Sequence, residues 1–122
     1  MLKIEAPTHS GFETVIMNDR FKCAFITPSP EYSFGKVDRM KRHNHTDEIF
    51  VLLFGRAIML TTVDGDFYEQ ELEPGKAYNV QKSTWHYLAV TEDARVFVTE
   101  ASDTPENNTD VLSLEVPYIL EQ

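Results

Sequence analysis

The chain of 122 residues has a single cysteine, Cys23. A lone thiol excludes an internal disulfide framework and a Cys-rich zinc knuckle. Basic residues are scarce too, with 11 Lys and Arg against 20 Asp and Glu and a formal net charge of -9. That charge opposes phosphate backbones, and no basic stripe with interleaved aromatics occurs, so no nucleic acid is expected as a partner. Long apolar runs are absent. The start Met1-Leu2-Lys3-Ile4-Glu5 has no apolar signal-peptide core, so we expect a cytoplasmic protein without a membrane partner. No long helical pattern, repeat or low-complexity segment appears.

What remains is a set of short runs rich in Val, Phe, Ile, Thr and Tyr, punctuated by Asp, Gly, Pro and Asn. This is the rhythm of an all-β barrel or sandwich. With 42% hydrophobic residues, the chain can bury a real core yet is too short for two ordinary domains, so residues 1–122 read as one domain. Candidate strands are 13–17, 21–27, 32–41, 48–54, 57–63, 67–72, 77–80, 85–90 and 95–100. Val63-Asp64-Gly65-Asp66 reads as a two-residue hairpin, because Asp-Gly tolerates the positive φ angles required. Glu73-Pro74-Gly75 reads as a second turn. The run 48–54 is apolar at both parities, which predicts a central strand. Residues 103–108 read as a loop, and the tail should wrap the barrel through Val111, Leu112, Leu114, Val116, Tyr118, Ile119 and Leu120.

Chemistry concentrates in Arg42-His43-Asn44-His45-Thr46-Asp47-Glu48, closed by Gly55, and in the segment from Gly75 to His86. A carboxylate at the mouth of an apolar strand needs a metal, a proton or an arginine to balance it. Alone, Glu48 would read as a solvated strand-end acid; the neighbouring histidines reverse that. His9, beside Ser10-Gly11, reads as surface.

The two segments resemble the paired motifs of the cupin superfamily, in which a His-x-His pair and a glutamate precede a glycine, and a second glycine leads to a third histidine. The resemblance spans about the central two-fifths of the chain. Gln81 stands where proline is usual, Ser83 where glycine is usual, and only Thr46 and Asp47 separate His45 from Glu48. The resemblance implies a single-domain cupin, a jelly-roll-like β-barrel. It also implies one divalent metal ion, Fe, Mn, Ni or Zn, held by His43, His45, Glu48 and His86.

Two registers stay open. If His43 and His45 form the pair, Thr46-Asp47 must make a tight loop to which β-branched Thr is poorly suited. If His43 is the pair's second member, Asn44–Asp47 is a four-residue loop, Lys41 takes the first position, and His45 is at most a fourth ligand. Lys41, with Arg39 and Arg42 nearby, would draw a small anionic molecule to the rim; its bland reading is a charged strand edge. Tyr78 and Tyr87 join Lys41 as candidate substrate-binding or acid–base groups. No catalytic residue is assigned. An enzyme of the oxygenase, isomerase or lyase type, a ligand-sensing module and a metal-free sugar-epimerase-like pocket remain alternatives. Related cupins pair through an outer sheet, which predicts a homodimer.

Overall fold

A computed structural model describes residues 1–102 and 108–122. Of the loop expected over 103–108, only Asn108 lies within the described residues. The strands are β1 (Gly11–Met17), β2 (Phe21–Thr27), β3 (Gly35–His43), β4 (Glu48–Phe54), β5 (Ala57–Val63), β6 (Asp66–Glu71), β7 (Ala77–Val80), β8 (Trp85–Val90), β9 (Arg95–Ala101) and β10 (Thr109–Leu120), with a short 3-10 turn over Pro30–Tyr32. They form two five-stranded antiparallel sheets, ordered β1-β2-β9-β4-β7 and β10-β3-β8-β5-β6. This is the all-β, jelly-roll-like barrel that the sequence predicts.

Local chemistry explains the turns. Asp64 and Gly65 take φ values of 53° and 85° between paired Val63 and Asp66, the geometry of a tight primed hairpin. Gly75, with φ 83°, completes a turn in which the Lys76 amide donates to the Glu73 carbonyl. Gly55 is more constrained. Its φ is +78°, and a Cβ there would lie 2.4 Å from the Ala94 Cα.

Alternation along the strands separates two cores. Ala24, Ile26, Phe50, Leu52, Met59, Leu88, Val96 and Val98 line the space between the sheets. Ile58, Leu60 and Ala89, of opposite parity, join Val37, Met40 and Leu120 on the outer side of the second sheet. Each large side chain buried this way contributes roughly 1.5–3 kcal/mol. Val37 and Met40 share a face although three residues apart, so the alternation slips within β3; β10 answers by jumping from Ser113 opposite Arg39 to Tyr118 opposite Val37. The tail thus wraps the barrel as expected through Leu114, Tyr118 and Leu120, whereas Val111, Val116 and Ile119 are exposed.

Two expectations need correcting. Tyr32 lies in the 3-10 turn, not in a strand, because Pro30 starts the turn and the Tyr32 amide bonds the Ser29 carbonyl. β4 is central, between β9 and β7, but its outer face is only partly covered: Leu53 and Phe54 are exposed.

Candidate metal centre and cavity

β3 and β8 are paired only at Lys41 opposite His86. Below that point the strands diverge, and a cavity of about 350 Å³ opens among the 3-10 turn, β3, β4 and β8. Glu48 opens β4 on the inner face, in the same parity as Phe50 and Leu52. His86 shares the inner parity of Leu88 and Val90. His43 ends β3, and the Ser83 amide donates to its carbonyl, fastening the end of β3 to the turn that precedes β8.

His43, Glu48 and His86 meet. Each offers a ligand atom, and these atoms lie within 4.8 Å of one another. The Nε2 atoms of His43 and His86 stand 3.3 and 3.2 Å from the same carboxylate oxygen, Glu48 Oε1. The opposite ring nitrogens are also held: His43 Nδ1 lies 2.9 Å from Thr109 Oγ1, and His86 Nδ1 lies 2.9 Å from the Thr84 carbonyl oxygen.

The Thr84 carbonyl can only accept, so His86 carries its proton on Nδ1. A neutral His86 therefore turns its Nε2 lone pair towards a carboxylate oxygen, an arrangement that repels unless a cation lies between them. A proton supplies that cation at low pH. A divalent ion fits the same place, because neutral imidazoles oriented from behind and a buried carboxylate form a nitrogen–oxygen donor set.

The charges behave accordingly. Burial pushes the Glu48 carboxyl up, but hydrogen bonds from His43 and His86, which require each ring to carry a proton on Nε2, overrule it and bring the group down to about 2. The bond to Glu48 raises His43 above its ordinary value against the opposing effect of burial. Behind the trio, Glu100 is the β9 partner of Glu48 and pairs with Lys22 Nζ at 3.3 Å. Burial, then the charge of Glu48, raises the Glu100 carboxyl, and its Oε2 has no hydrogen-bond partner among the described residues.

The other candidates are placed differently. His45 is exposed in the loop between β3 and β4 and lies outside the cluster. Residues 44–47 form a four-residue connection, the register in which His43 is the inner histidine. His9 is exposed. Lys41 lines the cavity with Arg39 and with Lys36, which sequence reasoning missed. Arg42 points away, 4.4 Å over the Trp85 ring and 2.9 Å from Asp110 Oδ2. Tyr87 reaches the cavity wall, but its hydroxyl donates to the Ser33 carbonyl at 2.6 Å. Tyr78 lines a separate depression beside Met59 and Thr84, and its hydroxyl accepts from the Glu73 amide. The Tyr78 ring packs on the barrel core, so parity with the motif strand does not bring it to the cavity.

Thr109 and Thr84 also escaped sequence reasoning. No local signal marks Thr109: it reaches His43 only because β10 returns beside β3, where the Asn44 amide meets the Asn108 carbonyl and Arg42 and Asn44 both bond Asp110.

Comparison with known proteins agrees with this architecture. A cupin domain family model matches residues 31–100. An acireductone dioxygenase of Bacillus thuringiensis is 33% identical over 76 residues, covering 57% of this chain and 45% of its own length. The chain thus spans less than half the length of that curated relative. A cupin-2 domain containing protein from Shewanella frigidimarina superposes with a TM-score of 0.59 at 17% identity, over 79% of this chain and 84% of that one. A sugar 3,4-ketoisomerase from Thermoanaerobacterium thermosaccharolyticum, in complex with TDP, gives 0.60 at 15% identity over 72% and 64%. At such identities the structural likeness bears on fold alone.

Proposed function

Because this chain belongs to the cupin domain family, we propose that it is a metal-dependent small-molecule protein. In this reading His43, Glu48 and His86 hold one divalent ion, and the cavity binds and transforms a small anionic molecule. The carrying observation is the convergence of two imidazole nitrogens, His43 Nε2 and His86 Nε2, on one buried carboxylate oxygen, Glu48 Oε1. Three protein ligands leave coordination positions open, and a bound ion there would act as a Lewis acid for a ligand oxygen. The chain's own residues do the rest. Thr84 and Thr109 orient the imidazoles, Phe50, Ile26 and Leu88 provide an apolar floor, and Lys36, Arg39 and Lys41 line the cavity with positive charge. Among the described residues none of these three cations has a hydrogen-bonded acid, in a chain of net charge -9. The same lining holds Glu31, Asp38 and Glu48, so the wall is balanced in charge rather than acidic like the chain as a whole. Cations left without a hydrogen-bonded acid there favour an anionic ligand.

A metal-free, proton-transferring pocket is the second reading, favoured by the same short His–Glu contacts, which also suit a shared proton. Elemental analysis of protein purified without an imidazole step separates the two. Stoichiometric Fe, Mn, Ni or Zn that survives dialysis supports the first; metal-free protein that binds none of these ions on titration overturns it. Addition of oxalate to metal-loaded protein should raise the melting temperature by mass action. Lys41→Ala should lose that rise and keep the metal.

A further inference from the structure

We infer that Tyr32 is the hydrogen-bond donor that the cavity presents to its ligand, so that the bound molecule carries an anionic or carbonyl oxygen facing the 3-10 turn. This rests on the proposed anion-binding cavity and adds a residue to it. The chain has five tyrosines. Tyr78 accepts from the Glu73 amide, Tyr87 donates to the Ser33 carbonyl, and Tyr118 bonds Glu69. Tyr68 is exposed on β6. Tyr32 alone combines a place in the cavity wall with a hydroxyl that has no hydrogen-bond partner among the described residues.

The ring is not loose. It packs against the barrel core, and its backbone is held at both ends of the turn: the Tyr32 amide donates to the Ser29 carbonyl, and the Ser33 hydroxyl donates to the Pro30 carbonyl. Tyr87 completes the mounting. Its hydroxyl bond to the Ser33 carbonyl ties the turn to the residue next to His86. The Tyr32 hydroxyl is not among the buried unpaired atoms, so solvent in the cavity can reach it, and a ligand oxygen can replace that water without reordering the packed ring.

Its role as donor follows from its neighbours. Burial and then the charges of Glu31, Glu48 and Glu100 oppose ionisation, keeping the phenol protonated well above its ordinary range. Tyr32 thus offers a proton to share and is not a base at neutral pH. An acceptor-rich ligand such as a carboxylate could engage both the lining cations Lys41 and Arg39 and this phenol.

The test uses the full chain loaded with Zn(II) and oxalate as the probe, with affinity measured by calorimetry. Tyr32→Phe removes one oxygen and keeps the packed ring, so it should bind zinc as wild type does. One neutral hydrogen bond corresponds to about a three- to tenfold rise in the oxalate Kd. Wild type should also show a tyrosine ultraviolet difference signal on adding oxalate, lost in Tyr32→Phe. Equal Kd values for the two proteins, with Lys41→Ala still weakened, would overturn the role of Tyr32 and leave the anion cavity standing. A wild type that binds no oxalate at all would overturn the cavity reading and this inference with it.

Discussion

Replacing Glu48 with glutamine tests the electrostatics of the trio in the metal-free protein. Glu48 is lowered to about 2, so its ionic bonds are fully present above about pH 4.5 and are lost as pH falls towards 2. His43 is raised above 6.5, so its contribution is full below that pH and disappears as pH rises through its folded value. Between roughly pH 4.5 and 6.5 both hold. A hydrogen bond to a charged group contributes about 1.5–3 kcal/mol. Glu48→Gln should therefore destabilise chelated protein at pH 5.5 by about 2–3 kcal/mol, or roughly 8–12 °C in melting temperature for a chain of this size. At pH 9 the outcome should change. Above its folded value His43 is a neutral imidazole facing a carboxylate in wild type, whereas the glutamine amide can donate to its Nε2 lone pair and no longer repels Glu100. The gap should shrink to within about 0.5 kcal/mol or reverse. Urea or thermal unfolding of both proteins across this range, after chelation, gives the comparison. A constant gap at pH 5.5 and 9 would refute the reasoning and make Glu48 an ordinary packed side chain.

If His43, Glu48 and His86 hold the ion as proposed, His86→Ala and His45→Ala are unequal: the first should abolish metal retention and the second leave it within about threefold, as read by elemental analysis and zinc competition. Equal, complete loss in both would restore His45 to the centre. Gly55→Ala should cost about 3–4 kcal/mol, because strain at positive φ adds to a clash with the Ala94 backbone. Gly75→Ala, also at positive φ but facing open space, should cost only about 1 kcal/mol; equal melting temperatures for the two variants would contradict this. A homodimer formed through the partly exposed outer face of β4, where Leu53 and Phe54 lie, predicts twice the monomer mass by light scattering at micromolar concentration. A monomer there would count against it.

Much of this fold is legible because its determinants are local. β2, β4, β5, β7 and β8 carry the residues read from alternation and turn chemistry alone. Ser83 shows how a motif departure keeps its geometry: where glycine is usual it takes φ 67°, so the backbone shape survives the loss of the residue that most easily adopts it. β10 was legible only as an apolar tail, because its pairing with β3 skips several residues and breaks the period. The meeting of His43, Glu48 and His86 follows from motif spacing and strand parity. The tyrosines are less legible for a different reason. Parity can suggest which face a ring occupies, yet only the tertiary structure shows that Tyr78 and Tyr87 commit their hydroxyls to backbone groups while Tyr32 does not.

The bond between His43 and Thr109 spans 66 positions of the sequence, and Lys22 and Glu100, behind the trio, are likewise brought together only by distant strands. Contacts of such separation bear the full entropy of closing long loops, and barrels built from them fold slowly. A fully oriented pair of imidazoles thus requires β10 to be docked on β3. An ion captured by that finished site would leave the folding rate nearly unchanged and slow unfolding instead, giving the protein persistence in time.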